Sequence, residues 1–456
     1  MSRTNGFFDH SAESLIRGLR KGAISPREIA SLCIERFAQA EGAANAFVLF
    51  DPEKIMEQAA RSEEYLKKNG APRNLEAIPV GVKDIFNTKD YPTQMGSPLW
   101  KGFTPGNDAR VVHTIRLAGA VVAGKTETAE FAVHELGRAI NPHDARRTPG
   151  TSSSGSAAAV CLGVVPYALG TQTAGSIVRP ASFCGVYGCK PSYGLVPRTG
   201  VLKTTDTMDS IGFLALHFED MLRLFEEMRV HGRNYPLSNA AFLDPDRRRE
   251  PAGRRWKVGF LKGFLWDRMP EYARDSLLEW AKKLGEHTAD VEVEEVELPR
   301  LAKRAHEIHA TIYNKNLSYY FQEEYRKRNL VSETLKSLME SGFSIQPERY
   351  LNALKEQESL SAEMDGLLRS YDAVISLSTA GDAPLRGEVE TDDYALLWTM
   401  THTPVVSAPV FVSPNGLPFG LQLTARRYND LLLFDFASFL RSVGMIPEKA
   451  EPPVRG

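Results

Sequence analysis

The 456-residue chain is poor in several features that would place it in a class at once. It has four cysteines, Cys33, Cys161, Cys184 and Cys189, too few for a disulfide framework. Cys184 and Cys189 are followed by no Cys/His pair, so a zinc site is not expected and plain buried thiols are. It lacks an excess of one charge. The 55 Lys+Arg against 57 Asp+Glu give a net charge of −2, which offers no electrostatic reason for nucleic acid or an anionic membrane as partner. It also lacks a long apolar run. The longest mostly apolar stretch, residues 157–169, is too short to span a bilayer and contains Pro166. Residues 1–10 carry no signal-peptide pattern, so a soluble, cytoplasmic protein is the expectation. With 43% hydrophobic and 25% charged residues, a disordered or fibrous chain is excluded.

The first quarter reads as helices with defined starts. Ser25-Pro26-Arg27-Glu28 is a capping box with proline at the first helical position, opening an amphipathic run to about residue 40. Asp51-Pro52 starts a second helix in the same way, after a strand over 45–50. Residues 78–82 read as a buried strand that delivers Lys83 and Asp84 at its end. Asp108 is expected to cap a helix to residue 117, residues 120–123 to form a short strand, and Thr126 to cap another helix. This alternation predicts an α/β layer architecture. Residues 231–256, with three prolines and Arg247-Arg248-Arg249, read as a solvated surface connection. Beyond it come strands over 257–261 and 291–298 with a helix over 271–287 between them. A long helical region over about 301–370 follows, with an aromatic piece from Tyr313 to Tyr325 that reads as core or pocket wall. Strands over 373–377 and 421–423 and a last helix from Asp430 complete the chain.

Residues 141–200 are rich in Gly, Ser, Thr, Pro and Ala, yet apolar pieces interrupt them every few residues. That pattern argues against a linker and for close backbone approach, as at a ligand site. The chain has no Gly-x-Ser-x-Gly elbow, no Ser-x-x-Lys and no dinucleotide fingerprint. His306 and His309 are three apart on an expected helix, but no third ligand is in view and solvated or capped side chains are the reading. What remains is Gly150-Thr151-Ser152-Ser153-Ser154-Gly155-Ser156, then Gly170-Thr171-Gln172-Thr173-Ala174-Gly175-Ser176. The second run ends an expected strand in small residues, so successive N–H groups can point into a cavity, as an oxyanion hole requires. On composition alone, two surface turns explain the same residues.

The spacing of these runs resembles the amidase signature family. Ser152 and Ser176 are 24 apart, as in that pattern, and Val80-Gly81-Val82-Lys83-Asp84 matches its upstream lysine motif. Asn141-Pro142-His143-Asp144, Phe183-Cys184-Gly185-Val186, Lys190-Pro191-Ser192-Tyr193-Gly194, Ser407-Ala408-Pro409 and Gly416-Leu417-Pro418-Phe419-Gly420 also match, so the resemblance runs over about residues 83–433. Departures are Gln172 for Asp, Ala174 for Gly, Thr151 and Ser154 for Gly, and Arg179 three residues after Ser176. The Gln172-Thr173 variant and the shifted arginine make the chain most similar to the compact bacterial malonamidase-like branch.

The resemblance implies an α/β fold with a central mixed sheet flanked by helices on both faces. It implies a mainly helical N-terminal segment (1–70) packed on a signature domain (71–456), whose catalytic core spans about 71–230. It implies a serine amidohydrolase of a small carboxamide, without metal or organic cofactor. Ser176 would be the nucleophile, Ser152 the relay after a cis peptide bond, and Lys83 the neutral base. Ser153 would be a supporting hydrogen-bond group, and the N–H groups of Thr173, Ala174, Gly175 and Ser176 the oxyanion hole. Gln172 and Arg179 are carried as substrate contacts, Arg179 either anchoring a substrate carboxylate or pairing structurally. The expected partner is a small amide, carbamate or ester, with no nucleic acid and no membrane, and the chain a monomer or homodimer. Rival roles are the amidase component of a tRNA-dependent amidotransferase and a catalytically silent binding protein on the same scaffold.

Overall fold

The computed structural model describes residues 5–231, 255–287 and 289–453. The surface connection expected over 231–256, with its arginine cluster, lies outside these residues except at its ends. Among the described residues eleven strands form one mixed sheet. In chain order they are β1 Phe47–Phe50, β2 Pro79–Lys83, β3 Val121–Thr126, β4 Tyr167–Gln172, β5 Tyr187–Lys190, β6 Ser210–Ala215, β7 Trp256–Phe260, β8 Val291–Glu295, β9 Ala373–Leu377, β10 Val405–Val412 and β11 Pro418–Thr424. Across the sheet they run β1-β3-β2-β4-β6-β5-β10-β11-β9-β7-β8. Helices flank this sheet, so the fold is α/β as expected.

The N-terminal helices start where their capping residues stand. Glu28 N–H donates to Ser25 Oγ at 3.2 Å and Ser25 N–H to Glu28 Oε2 at 2.7 Å, the two reciprocal bonds of a capping box. Asp51 accepts from Lys54 N–H at the head of Pro52–Asn69. The first 70 residues also supply β1, which pairs antiparallel with β3 at the sheet edge.

Every residue of β2, β3, β4 and β6 is buried. A strand covered on both faces reads as a continuous apolar run, which is why β2 was legible. It runs parallel to β3 and β4, with Lys83 opposite Thr126 and Val82 opposite Leu169. The helix Ser154–Cys161 packs across β2 and β4 and is buried on all sides, which its alanines and serines permit. A Cβ on Gly155 would stand 2.4 Å from both Ala46 O and Glu127 N, so only glycine allows this approach. The small-residue stretch is thus a packed core segment, as its interrupting apolar pieces indicated.

Several expectations need correction. The helix expected to start at Asp108 spans Arg110–Leu117 behind Ala109. The Asp108 carboxylate instead accepts from Lys89 N–H and pairs with Arg116. Thr126 caps no helix, because β3 continues through it and its hydroxyl lies 2.7 Å from Ser156 Oγ. The region 301–370 holds the helices Ala305–Tyr320, Gln322–Arg326, Glu333–Ser344 and Pro347–Leu368. Strands β5, β6 and β10 were not anticipated. β10 contains Pro409, which its register irregularity between Ala408 and Phe411 accommodates. All four cysteines are free and buried. Among the described residues no helix is long and apolar enough to cross a membrane.

Candidate active site

Three segments converge at the C-terminal ends of the adjacent parallel strands β2 and β4. β2 ends in Lys83, which is 0% exposed. Its Nζ lies 2.8 Å from Ser152 Oγ, 3.0 Å from Ser153 Oγ and 2.9 Å from Thr171 Oγ1. Burial pushes its pKa well below the ordinary lysine value of 10.5, and the more distant charge of Asp209 offsets only part of this. Among the described residues no carboxylate forms an ion pair with Lys83. Its neighbour Asp84 pairs instead with Lys125 at 3.1 Å.

The second segment precedes the helix Ser154–Cys161. The Thr151–Ser152 peptide bond is cis, and Ser152 is 1% exposed. Ser153 Oγ donates to Thr171 O at 3.2 Å and accepts from Thr171 N–H at 3.3 Å, which ties this segment to β4. The third segment is the turn from Gln172 to Val178. Ser153 N–H donates to Ser176 O at 3.3 Å, bringing the half-buried Ser176 against the serine pair. Lys83, Ser152 and Ser153 are thus in direct contact, with the backbone of Ser176 beside them. Thr171, the third contact of Lys83, was not singled out, although it stands in the same Gly170-Thr171 run.

Gln172 was expected to touch substrate, and the structure assigns it differently. It is fully buried. Its Oε1 accepts from Ile177 N–H at 2.8 Å and Val178 N–H at 3.0 Å, and its Nε2 donates to Thr399 Oγ1 at 2.9 Å. One amide thereby closes the turn that presents Ser176. Thr173 Oγ1 donates to Asp209 Oδ1 at 2.8 Å, and Asp209 also accepts from the N–H groups of Thr204 and Thr205. Asp209 and Thr399 were missed. They lie 36 and 227 residues from their partners, a separation no local pattern reports.

Arg179 makes two ion pairs within the chain. Its Nε donates to Asp393 Oδ2 at 2.9 Å and its Nη1 to Glu390 Oε2 at 2.8 Å. Two carboxylates already face this one guanidinium. Arg179 borders a cavity of about 590 Å³ that reaches Thr151 and Ala174, and whose wall includes Glu135, Glu388, Glu390 and Asp392. A second cavity of about 200 Å³ has Thr171 and Thr173 in its lining.

The helix Ala305–Tyr320 turns His306, His309 and Ala310 toward the larger cavity, one turn before the aromatic piece. Of that piece, Tyr313 and Phe321 are buried and Tyr319 is exposed, so core packing accounts for the first two. His306 Nε2 lies 3.4 Å from Asp392. His309 Nε2 lies 3.1 Å from Thr173 O. Among the described residues no group of three or more His, Cys, Asp and Glu side chains is placed to hold a metal ion.

The family model described as Amidase matches residues 28–434. The chain belongs to the amidase signature family. Among its relatives is a glutamyl-tRNA(Gln) amidotransferase subunit of Anaeromyxobacter sp. (strain K), 31% identical over 95% of this chain and 96% of that protein. A crystal structure of an amidase superposes with a TM-score of 0.82 at 26% identity, covering 95% of this chain and 99% of that one. The corresponding glutamyl-tRNA(Gln) amidotransferase subunit of Thermotoga maritima superposes with a TM-score of 0.78 at 25% identity, covering 99% of both chains. Members of the amidase family thus share this chain's fold along nearly its whole length.

Proposed function

We propose that this amidase-family chain is a serine amidohydrolase that cleaves the C–N bond of a small carboxamide through an acyl-enzyme on Ser176. The observation that carries the reading is the Lys83 amine, sealed from solvent and 2.8 Å from Ser152 Oγ. A serine hydroxyl needs a base at neutral pH, and a buried lysine without a carboxylate partner is uncharged enough to be one.

The hydrogen bonds supply the proton assignment. Ser153 has one hydroxyl proton, directed at Thr171 O, so Ser153 Oγ accepts from Lys83. Thr171 Oγ1 accepts the second N–H of a neutral amine. The remaining lone pair on Nζ then faces Ser152, whose O–H donates to it. In this account Ser176 Oγ attacks the substrate carbonyl carbon and passes its proton to Ser152, while the Ser152 proton moves to Lys83. The N–H groups of Thr173, Ala174, Gly175 and Ser176 face the developing oxyanion. The leaving amine takes a proton back through Ser152, and water then releases the acid and restores Ser176. A carbamate or ester would follow the same path.

The cavity narrows the substrate class. Arg179 is balanced by Asp393 and Glu390, and Glu135, Glu388 and Asp392 add acidic groups to the same region. A neutral or cationic amide suits this lining better than one bearing a carboxylate. A second reading, the amidase component of a tRNA-dependent amidotransferase, is favoured by the names of the relatives. Turnover of simple amides by the purified lone chain separates the two, since such a component would need its partners.

A fluorophosphonate probe tests the chemistry. It is expected to label Ser176 in the native protein and to fail with Ser176→Ala and with Lys83→Ala. Absence of labelling in the native protein would favour the silent binding protein.

A further inference from the structure

We propose that His309 and Thr399 are positioning residues that aim the backbone N–H groups of Ala174 and Gly175 at the reacting carbonyl oxygen. The inference rests on the oxyanion role proposed above. A trans peptide is planar and its C=O and N–H point in opposite directions. Whatever holds the carbonyl of one residue therefore sets the direction of the next residue's N–H.

Both carbonyls in question are held by side chains from distant helices. Thr173 O lies 3.1 Å from His309 Nε2. A carbonyl oxygen only accepts, so Nε2 carries the proton. This bond fixes the Thr173–Ala174 peptide and turns the Ala174 N–H away from His309. Ala174 O lies 2.6 Å from Thr399 Oγ1, on the helix Ala395–Met400. That bond fixes the Ala174–Gly175 peptide and so the Gly175 N–H. The Thr399 hydroxyl is also 2.9 Å from Ala395 O, but the contact to Ala174 is the shorter, and Gln172 Nε2 occupies a lone pair.

The rest of the turn fits this division. The N–H groups of Ile177 and Val178 are taken by Gln172. Among the described residues no hydrogen bond uses the N–H of Ala174, Gly175 or Ser176. These donors stay free for a ligand while their peptide planes are clamped from behind, which is the preorganisation an oxyanion hole needs.

His309 is built to hold its position. It is 5% exposed and stacks on Tyr313 at a centroid distance of 5.3 Å and 25°. Burial pushes its pKa down to about 3, with His134, His306 and Arg179 adding to the fall and the bond to Thr173 opposing it. The ring stays neutral and keeps its Nε2–H.

The test compares His309→Phe, His309→Gln and Thr399→Val with the native chain. Two readouts serve: the acylation rate with p-nitrophenyl acetate and the rate of Ser176 labelling by a fluorophosphonate. Loss of one oxyanion donor lowers rates by about 10²–10³-fold, and a misaimed donor by less. His309→Phe keeps an aromatic ring on Tyr313 and removes the donor. It is expected to lower kcat about 10- to 100-fold with KM within about twofold. His309→Gln places an amide nitrogen near the Nε2 position and is expected to recover most of the loss. Thr399→Val is expected to lower kcat by a similar factor. The proposal is overturned if both donor-less variants keep kcat within about twofold, if the loss appears in KM alone, or if glutamine is as slow as phenylalanine. Should His309→Phe not fold, Thr399→Val decides the matter. A native chain that is not labelled at Ser176 overturns the catalytic reading itself, and this inference falls with it.

Discussion

Replacing Lys125 with methionine should unfold the chain far more readily, and the reason lies one residue beyond Lys83. Lys125 Nζ is 3.1 Å from Asp84 Oδ1, and both side chains are 0% exposed. The ammonium also donates to Phe86 O at 2.9 Å, Pro92 O at 3.1 Å and Thr93 Oγ1 at 2.7 Å. Without it, Asp84 Oδ1 has no partner among the described residues, and the carboxylate keeps the bond from Gln94 N–H to Oδ2 at 3.1 Å. Breaking a buried ion pair from one side typically costs about 3–5 kcal/mol. Burial already raises the Asp84 pKa from 3.8 to about 6, with Lys125 opposing the rise. Removing Lys125 pushes it higher. A carboxyl whose folded pKa is raised binds more protons folded than unfolded, so its contribution falls as pH rises between the two values. The native chain and the variant share that fall between pH 3.8 and about 6, so the variant's deficit should be smallest below about pH 6 and grow above it, until the variant's own Asp84 ionises. The Asp84→Asn/Lys125→Met double variant should lose less than the sum of the singles by about 0.5–3 kcal/mol. Urea unfolding followed by tryptophan fluorescence at several pH values measures all of this. A loss below about 1 kcal/mol for Lys125→Met, or additive singles, would refute the reasoning.

Gln172→Leu should leave the buried N–H groups of Ile177 and Val178 unpaired, at about 1–3 kcal/mol each, and should slow Ser176 labelling as the turn loosens. Unchanged labelling and unchanged unfolding would contradict the role given to this amide. Glu390→Gln removes one carboxylate from the cavity wall, worth about 1–2 kcal/mol at an effective dielectric constant near 20. It should raise kcat/KM for carboxylate-bearing amides about tenfold relative to neutral ones, and an equal change for both classes would remove the electrostatic argument.

The parts of the fold governed by local chemistry were legible in the sequence. The Ser25–Glu28 box, the Asp51 cap and the buried β2 each depend on residues within one turn or one strand. Asp108 looked like a cap of the same kind, yet its carboxylate is drawn to Lys89 N–H and Arg116. Thr126 failed for a related reason, since pairing with β2 overrode a local helix start. β10 was hidden by Pro409, which speaks against a strand until the irregularity beside it is seen.

The site divides in the same way. Lys83, Ser152, Ser153 and Ser176 lie in motifs whose spacing is visible, and the structure gathers them. The groups that hold those motifs in shape, Asp209, His309, Asp393 and Thr399, come from distant elements and have no local signature. Gln172 and Arg179 were noticed, but their partners could not be, so Gln172 was taken for a substrate contact and Arg179 was left with two readings.

The central claim is that Lys83 works as an uncharged base. The most direct test is the pH dependence of the rate at which a fluorophosphonate labels Ser176 in the native chain. A lowered pKa means the neutral amine is present above it, so the rate should climb with pH through an apparent pKa well below 10.5 and then level off. A rate still climbing in proportion to hydroxide at about pH 10, or a Lys83→Met variant labelled at the native rate, would contradict the account.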